Sequence, residues 1–318
     1  MALQSETSMI GRTPAIVVIG SLNMDLVTRT ARQPQRGETL IGESFALFVG
    51  GKGLNQAIAA ARQGAAVRMV GRLGQDDFGR RLRQTLHTEG IDAWYITEDG
   101  ASSTGIATIV VDAEGDNSII VVPGANGRVG PEDVERAADA IAGADTLILQ
   151  LEVPLDAVQR AAEIAHAAGV RVLLNPAPAR SLPDELLRLV DVLTPNETET
   201  QILTGLSIAD DEAAGRAAGA LLARGVGATV LTLGSRGALL AEAEQRIRVP
   251  GYPVRPIDTT AAGDAFCGAL AVQLARGYPL DAAIRYANAA GALATTVMGA
   301  EPAMPKQAAV EQFIADIG

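Results

Sequence analysis

The chain has 318 residues, 48% of them apolar and 20% charged, the balance of a globular protein with ample core rather than of a disordered one. With 26 Lys+Arg against 37 Asp+Glu the net charge is −11, and aromatic residues make up only 3%, so no basic footprint or stacking platform for nucleic acid is expected. One cysteine, Cys267, and two histidines, His87 and His166, exclude internal disulfides and multi-cysteine metal centres and leave little material for a histidine-built site or a Ser-His-Asp triad.

Residues 1–14 lack the basic start, apolar stretch and cleavage site of an export signal and read as a short mobile tail. No apolar run approaches the roughly 20 residues of a bilayer span, so a cytoplasmic protein without membrane contact is expected. The β-branched run 15–19, closed by Gly20, predicts a buried strand. A helix follows at 54–64, a strand at 66–70 and a helix at 78–90. From residue 144 the alternation is regular: strand 146–151, helix 155–168, strand 171–174, helix 183–190 and strand 192–193. Helices 197–203 and 211–224, strand 228–233 and helix 265–276 complete it. Strands alternating with helices predict an α/β fold, a mostly parallel central sheet flanked by helices on both faces. Ligands of such sheets bind beyond the carboxyl ends of the strands.

Two stretches break the rhythm. Residues 26–48 hold scattered β-formers, and 104–122 read as a hairpin turning through Ala113-Glu114-Gly115-Asp116. They predict a small β-sheet lid set on an α/β domain formed by 15–25, 49–103 and 123–318. The apolar face of that lid needs a cover, from substrate and core or from a second copy of the chain.

Five motifs stand at the predicted strand ends. Asp258-Thr259-Thr260-Ala261-Ala262-Gly263-Asp264 precedes an apolar helix, where free N–H groups and the helix dipole suit an anion and a carboxylate can accept a hydroxyl proton. Asp264 as a helix N-cap is the alternative. Gly50-Gly51-Lys52-Gly53-Leu54-Asn55 is neither a Walker A loop nor a dinucleotide fingerprint, because Gly53 stands where Ser or Thr is needed and Gln56 where the third glycine belongs. It offers open backbone, one of the chain's two lysines and the amide of Asn55, unless it serves as a plain turn. Asn23 and Asp25, two apart after the first strand, suit vicinal hydroxyls or form an Asx turn. In Pro195-Asn196-Glu197-Thr198-Glu199 the acidic groups suit Mg²⁺ near phosphates, and Asn196 with Glu199 also fits a capping box. Thr232-Leu233-Gly234-Ser235-Arg236-Gly237 is a glycine-flanked turn fit to pass under a nucleotide. Cys267, with no basic neighbour in sequence, reads as a packed core thiol, and the histidines as surface or structural residues.

These motifs, in this order, resemble the ribokinase branch of the carbohydrate kinase family often called PfkB, over nearly the whole chain. Gln150-Leu151-Glu152-Val153-Pro154 and Asn175-Pro176-Ala177-Pro178-Ala179 add to the likeness. The resemblance implies ATP-dependent phosphorylation of D-ribose at O5, with Asp264 as base and the amides of Ala262, Gly263 and Asp264 as anion hole. It places the sugar against Asn23, Asp25, Gly51, Lys52, Gly53, Asn55, Glu152 and Asp264. The nucleotide falls to Asn196, Thr232, Gly234, Ser235, Arg236, Gly237, Gly263 and Asn288, with Glu199 acting through Mg²⁺. Asn288 stands where some members have His. A monovalent cation, usually K⁺, is implied at Asp258, Thr260, Ala294, Val297, Gly299 and Ala303. Ala303 replaces a common Ser, so a water or a carbonyl must stand in there. A homodimer through the lid is implied as well. Another sugar or nucleoside of the same family, such as 2-deoxyribose, is the nearest alternative substrate, and a non-catalytic sugar-binding protein the next. A nicotinamide-dependent oxidoreductase is disfavoured, because no glycine fingerprint follows the first strand.

Overall fold

The computed structural model describes residues 12–317. Of the expected tail, residues 1–11 lie outside the described residues. Residues 12–14 are tied to the sheet: Arg12 pairs with Asp145, and the Pro14 carbonyl accepts from the Ala66 N–H at 2.8 Å.

In chain order, β1 (Ala15–Ile19) leads through β2 (Asn23–Arg29) and β3 (Ser44–Gly50) into α1 (Lys52–Arg62), then β4 (Ala66–Gly74), α2 (Asp77–Thr88) and β5 (Asp92–Asp99). The hairpin β6 (Gly105–Val111) and β7 (Asn117–Val122) precedes the short helices α3 (Pro131–Arg136) and α4 (Ala138–Ala142). Next come β8 (Thr146–Leu149), α5 (Leu155–Ala167), β9 (Arg171–Leu174), α6 (Asp184–Leu187) and β10 (Val192–Leu193). Helices α7 (Glu197–Thr204) and α8 (Asp211–Ala223) precede β11 (Ala228–Thr232) and the hairpin β12 (Ala238–Ala241) and β13 (Arg246–Val249). Helices α9 (Ala262–Ala275), α10 (Leu280–Ala294) and α11 (Gln307–Ile317) close the chain.

Nine strands form one sheet in the order β13-β12-β11-β10-β9-β8-β1-β4-β5, parallel except for the terminal hairpin. Both faces are covered, so β1 and β10 are apolar throughout and β8 and β9 are apolar after their first residue. Ile16 and Val18 face a core shared with α1, α2, α9 and α10, while Val17 and Ile19 face one shared with α3, α4 and α5. The second sheet, β3-β2-β6-β7, forms the lid. It is mixed: β2 runs parallel to β6, and its other pairings are antiparallel.

Several boundaries differ from expectation for local reasons. Strand β8 stops at Leu149, because the Leu151 N–H leaves the ladder for the Ala177 carbonyl at 3.0 Å. The helix expected over 183–190 shrinks to α6, since the Leu189 and Val190 amides close tighter i→i−3 bonds. Helix α9 starts at Ala262, with Ala261 ahead of it in the left-handed region at φ 59°. Strand β5 escapes prediction because it is a sheet edge carrying Asp and Glu.

Candidate active site

The carboxyl ends of β1, β8 and β9 meet the amino ends of α1 and α9. The two helices pack closely because α9 carries Gly268 at the crossing, where a Cβ would stand 2.8 Å from Ala60 N and Gln56 O. One turn earlier on α9 is Asp264, 5% exposed, whose carboxylate is thereby held against α1. Its Oδ2 accepts from Asn55 Nδ2 at 3.1 Å and its Oδ1 from Gln56 Nε2 at 2.9 Å. The N-cap position belongs to Ala261, so Asp264 does not cap its own helix.

Around it gather the other residues expected to hold a sugar. Glu152, after β8, accepts through Oε2 from Ser21 Oγ at 2.5 Å and from the Lys52 N–H at 3.1 Å. Asn23 is buried, and its Oδ1 accepts from Asn126 Nδ2 at 2.7 Å. Asn126 in turn braces the turn after β1, bonding both the N–H and the carbonyl of Leu22. Asp25 lies against Gly50, where any side chain would collide with its carboxyl group. Gly51 and Gly53 flank Lys52 at the start of α1.

Charge is concentrated here. Burial, with Glu152 and Asp264 near, pushes the Asp25 carboxyl up to about 7. Burial also raises Asp264, against the pull of Lys52, Gln56 and Asn55. Burial works against the Lys52 ammonium, yet Asp264, Glu152 and Glu199 hold it above its usual value. The arrangement offers acceptors for several hydroxyl groups and one carboxylate able to take a proton.

Lys52 and Asp264 also line a cleft of about 830 Å³ that opens on the far side of this pocket. Its walls bring together Asn196 and Glu199, Thr232, Gly234, Ser235 and Gly237, and Ala262, Gly263 and Asn288. Of the two sequence readings of Asn196 and Glu199, the capping box is borne out, with Asn196 N–H to Glu199 Oε2 and Glu199 N–H to Asn196 Oδ1, each at 2.8 Å, and it aims Glu199 into the cleft. Asn288 spends Nδ2 on the carbonyls of Val249 and Pro250, leaving Oδ1 for a ligand. Arg236 is not on this wall; it is exposed and pairs with Glu197 and Asp211.

The three amides expected to form an anion hole differ in their bonding. The Ala262 N–H donates to Thr259 O at 3.3 Å and the Asp264 N–H to Ala261 O at 3.0 Å. Gly263 is exposed, with open space where a Cβ would stand, and it lines the cleft together with Ala262 and Asp264.

The two loops expected to hold a monovalent cation do meet. Asp258 accepts from the Thr260 N–H through Oδ1 and from the Gly299 N–H through Oδ2, each at 2.9 Å, which holds its carboxyl low despite partial burial. Of the other expected ligands, Thr260 precedes α9, Ala294 ends α10 with its carbonyl accepting from the Val297 N–H at 3.4 Å, and Gly299 follows at φ 90°. Ala303 is buried and its side chain adds no oxygen. Among the described residues no cluster of three His, Cys, Asp or Glu side chains could hold a metal ion.

Cys267 is buried beside Thr194 Oγ1, its thiol pushed up to about 12 by burial, and both histidines are exposed on helices. Sequence reasoning missed Ser21, Gln56, Asn126, Gln150 and Asn175. Gln56 appeared only as a failed glycine position, although it directly follows Asn55.

A family profile described as pfkB family carbohydrate kinase matches residues 13–307. The chain is 40% identical over 299 residues to the ribokinase of Haemophilus influenzae, covering 94% of this chain and 98% of that one. To the deoxyribokinase of Salmonella typhi it is 38% identical over 299 residues, covering 94% and 97%. The solved structure of Arabidopsis thaliana ribokinase complexed with ribose and ATP aligns at a TM-score of 0.89 with 34% identity, over 95% of this chain and 99% of that one.

Proposed function

The chain belongs to the pfkB family of carbohydrate kinases, and from its ribokinase-like site we propose that it transfers the terminal phosphoryl group of ATP to O5 of D-ribose. The observation that carries this reading is the place of Asp264: buried, ionisable and shared by the polar pocket and the long cleft. A sugar held by Asn23, Asp25, Asn55 and Glu152 presents its terminal hydroxyl to Asp264. The proton passes to the carboxylate as the sugar oxygen bonds to phosphorus and the bond to the ADP oxygen breaks.

Phosphoryl transfer asks the protein mainly for alignment and charge stabilisation. A positioned base contributes about 10²–10⁴ in rate, and one oriented amide donor roughly 3–4 kcal/mol. The Gly263 amide supplies that donor, and Lys52 adds a fixed positive charge at the junction. Glu199 and Asn196 are the residues that would hold Mg²⁺, which offsets phosphate charge when bound. The loops around Asp258 and Gly299 would hold K⁺, which steadies the start of α9. Both ions rest on the oxygen donors described above.

Asp264→Asn is expected to remove most turnover in an ADP-release assay with D-ribose while ATP still binds; near-wild-type kcat refutes the assignment. The same assay with 2-deoxyribose separates the two sugars, and kcat/KM in favour of deoxyribose corrects the substrate. The lid closes the pocket to water, and a second copy covers its outer face. Ile119, Ile120, Val121 and Val122 lie consecutively exposed on the edge strand β7, an aggregation hazard unless paired. Sedimentation at micromolar concentration should therefore give a dimer, and a monomer alone removes that part of the reading. As a consumer of ATP, the enzyme works in the cytoplasm.

A further inference from the structure

Behind Asp264 lie three buried amides that the reaction as described does not use: Gln56 and Gln150, each 0% exposed, and Asn175, 8% exposed. Their hydrogen bonds run in one direction, set by a backbone group. The Thr194 carbonyl can only accept, so Asn175 turns Nδ2 to it at 3.0 Å. That leaves Asn175 Oδ1 facing Gln56, which must answer with Nε2, at 3.2 Å. The same Nε2 reaches Asp264 Oδ1 at 2.9 Å, so both of its N–H donors are committed. At the other end Gln150 Nε2 donates to Gln56 Oε1 at 2.6 Å, and Gln150 Oε1 is buried without a partner.

Each oxygen of Asp264 therefore accepts one amide N–H, Oδ1 from Gln56 and Oδ2 from Asn55, which leaves the carboxylate lone pairs for the hydroxyl proton. We propose that Gln56 is a positioning residue that fixes the Asp264 carboxylate and keeps it ionised as the sugar binds. The inference rests on the reading of Asp264 as the base. The other titratable groups acting on Asp264 are Lys52 on α1, Glu152 after β8, Asp25 on β2, Glu199 on α7 and Cys267 on its own helix. All of them stay in place when Gln56 is replaced, so a change in titration reports the lost donor. A hydrogen bond to the charged form favours that form, and removing it moves the group upward.

The test is the pH profile of kcat/KM for D-ribose from about pH 5 to 9, measured for wild type, Gln56→Met, Gln56→Glu and Gln150→Met. Gln56→Met should move the acid limb up by about one pH unit, so that kcat/KM falls about tenfold on the acid side of the limb, with KM for ATP unchanged. Gln56→Glu should move it further, because a second carboxyl group then opposes the first. Gln150→Met, which does not touch Asp264, should shift the limb the same way by less. Acid limbs within about 0.3 pH unit of wild type in folded Gln56 variants overturn the proposal. If the Gln56 variants do not give a cooperative melt, Gln150→Met decides in their place, and an unmoved limb there overturns it. A wild-type chain that phosphorylates no sugar defeats the kinase reading instead, so the two failures are distinguishable.

Discussion

The two halves of the site that meet at Asp264 are built differently. On the sugar side, polar side chains hold one another: Ser21 with Glu152, Asn126 with Asn23, Gln56 with Asp264, nearly all buried. On the nucleotide side the wall is turn backbone and small residues, and Asn196, Gly234, Ser235 and Gly263 are exposed. Buried polar networks tolerate little change, because an orphaned group costs its full desolvation, whereas an exposed turn lets water replace what is lost. The sugar half is thus expected to be rigid before any ligand arrives and the nucleotide half to be shaped by its ligand.

Two glycine substitutions test this contrast most strongly. At Gly53 a Cβ would stand 2.6 Å from the Gly20 carbonyl carbon and from Ser21 N, both backbone atoms that cannot swing away. Gly53→Ala should cost about 1–3 kcal/mol by overpacking and, by displacing the loop about 1 Å, lower kcat/KM for the sugar about a hundredfold. Gly234, at φ 57°, meets nothing within 4 Å, so Gly234→Ala carries only left-handed backbone strain, about 1–2 kcal/mol, and should leave KM for the sugar unchanged. Melting curves and steady-state kinetics on the pair settle it: equal damage to sugar turnover erases the distinction between the halves.

The pH dependence of stability sharpens the contrast on the sugar side. Asp25 rises from an ordinary 3.8 to about 7 in the fold, through burial and the neighbouring Glu152 and Asp264. The folded protein therefore binds more protons than the unfolded chain between those values. Asp25's contribution is fully present below the lower value and is lost as pH rises through the upper one. Thermal melts of the ligand-free enzyme should fall between about pH 5 and pH 8, and Asp25→Asn should flatten that fall by several degrees. An unchanged slope in the variant would remove Asp25 from the buried cluster.

How much of this was legible in the sequence follows the same division. Apolar runs such as Val17-Val18-Ile19 show the central strands, because both sheet faces demand apolar side chains. The edge strands β5 and β13 lack that demand and were missed; β12 was missed as well, although its four residues are apolar and buried. So was α10, rich in alanine, whose small side chains give little contrast between buried and exposed positions. Among candidate site residues, Asp264 and Lys52 were legible, because a charged group beside glycines has few ordinary reasons to be there, and Glu199 because it stands in an acidic stretch just after a strand. Gln56, Gln150 and Asn126 were not, since each acts through a partner about a hundred or more positions away, and an amide means little until that partner is known. Side-chain direction was also beyond reach, and Arg236 shows it.

Arg236 follows Ser235 in a turn that lines the cleft, and the resemblance carried it into the nucleotide site with its neighbours. The fold turns it outward to Glu197 and Asp211, at the surface, where such pairs contribute about 0–1 kcal/mol. Arg236→Ala should therefore leave KM for ATP within about twofold of wild type and lower the melting temperature by no more than about 2 °C. Because Glu197 stands in the first turn of α7, a small loss in melting without a change in KM marks a surface role. A several-fold rise in KM for ATP would mean instead that the side chain swings into the cleft when nucleotide binds. The nucleotide half would then be assembled by side chains after all, and the difference between the two halves would be one of timing rather than of construction.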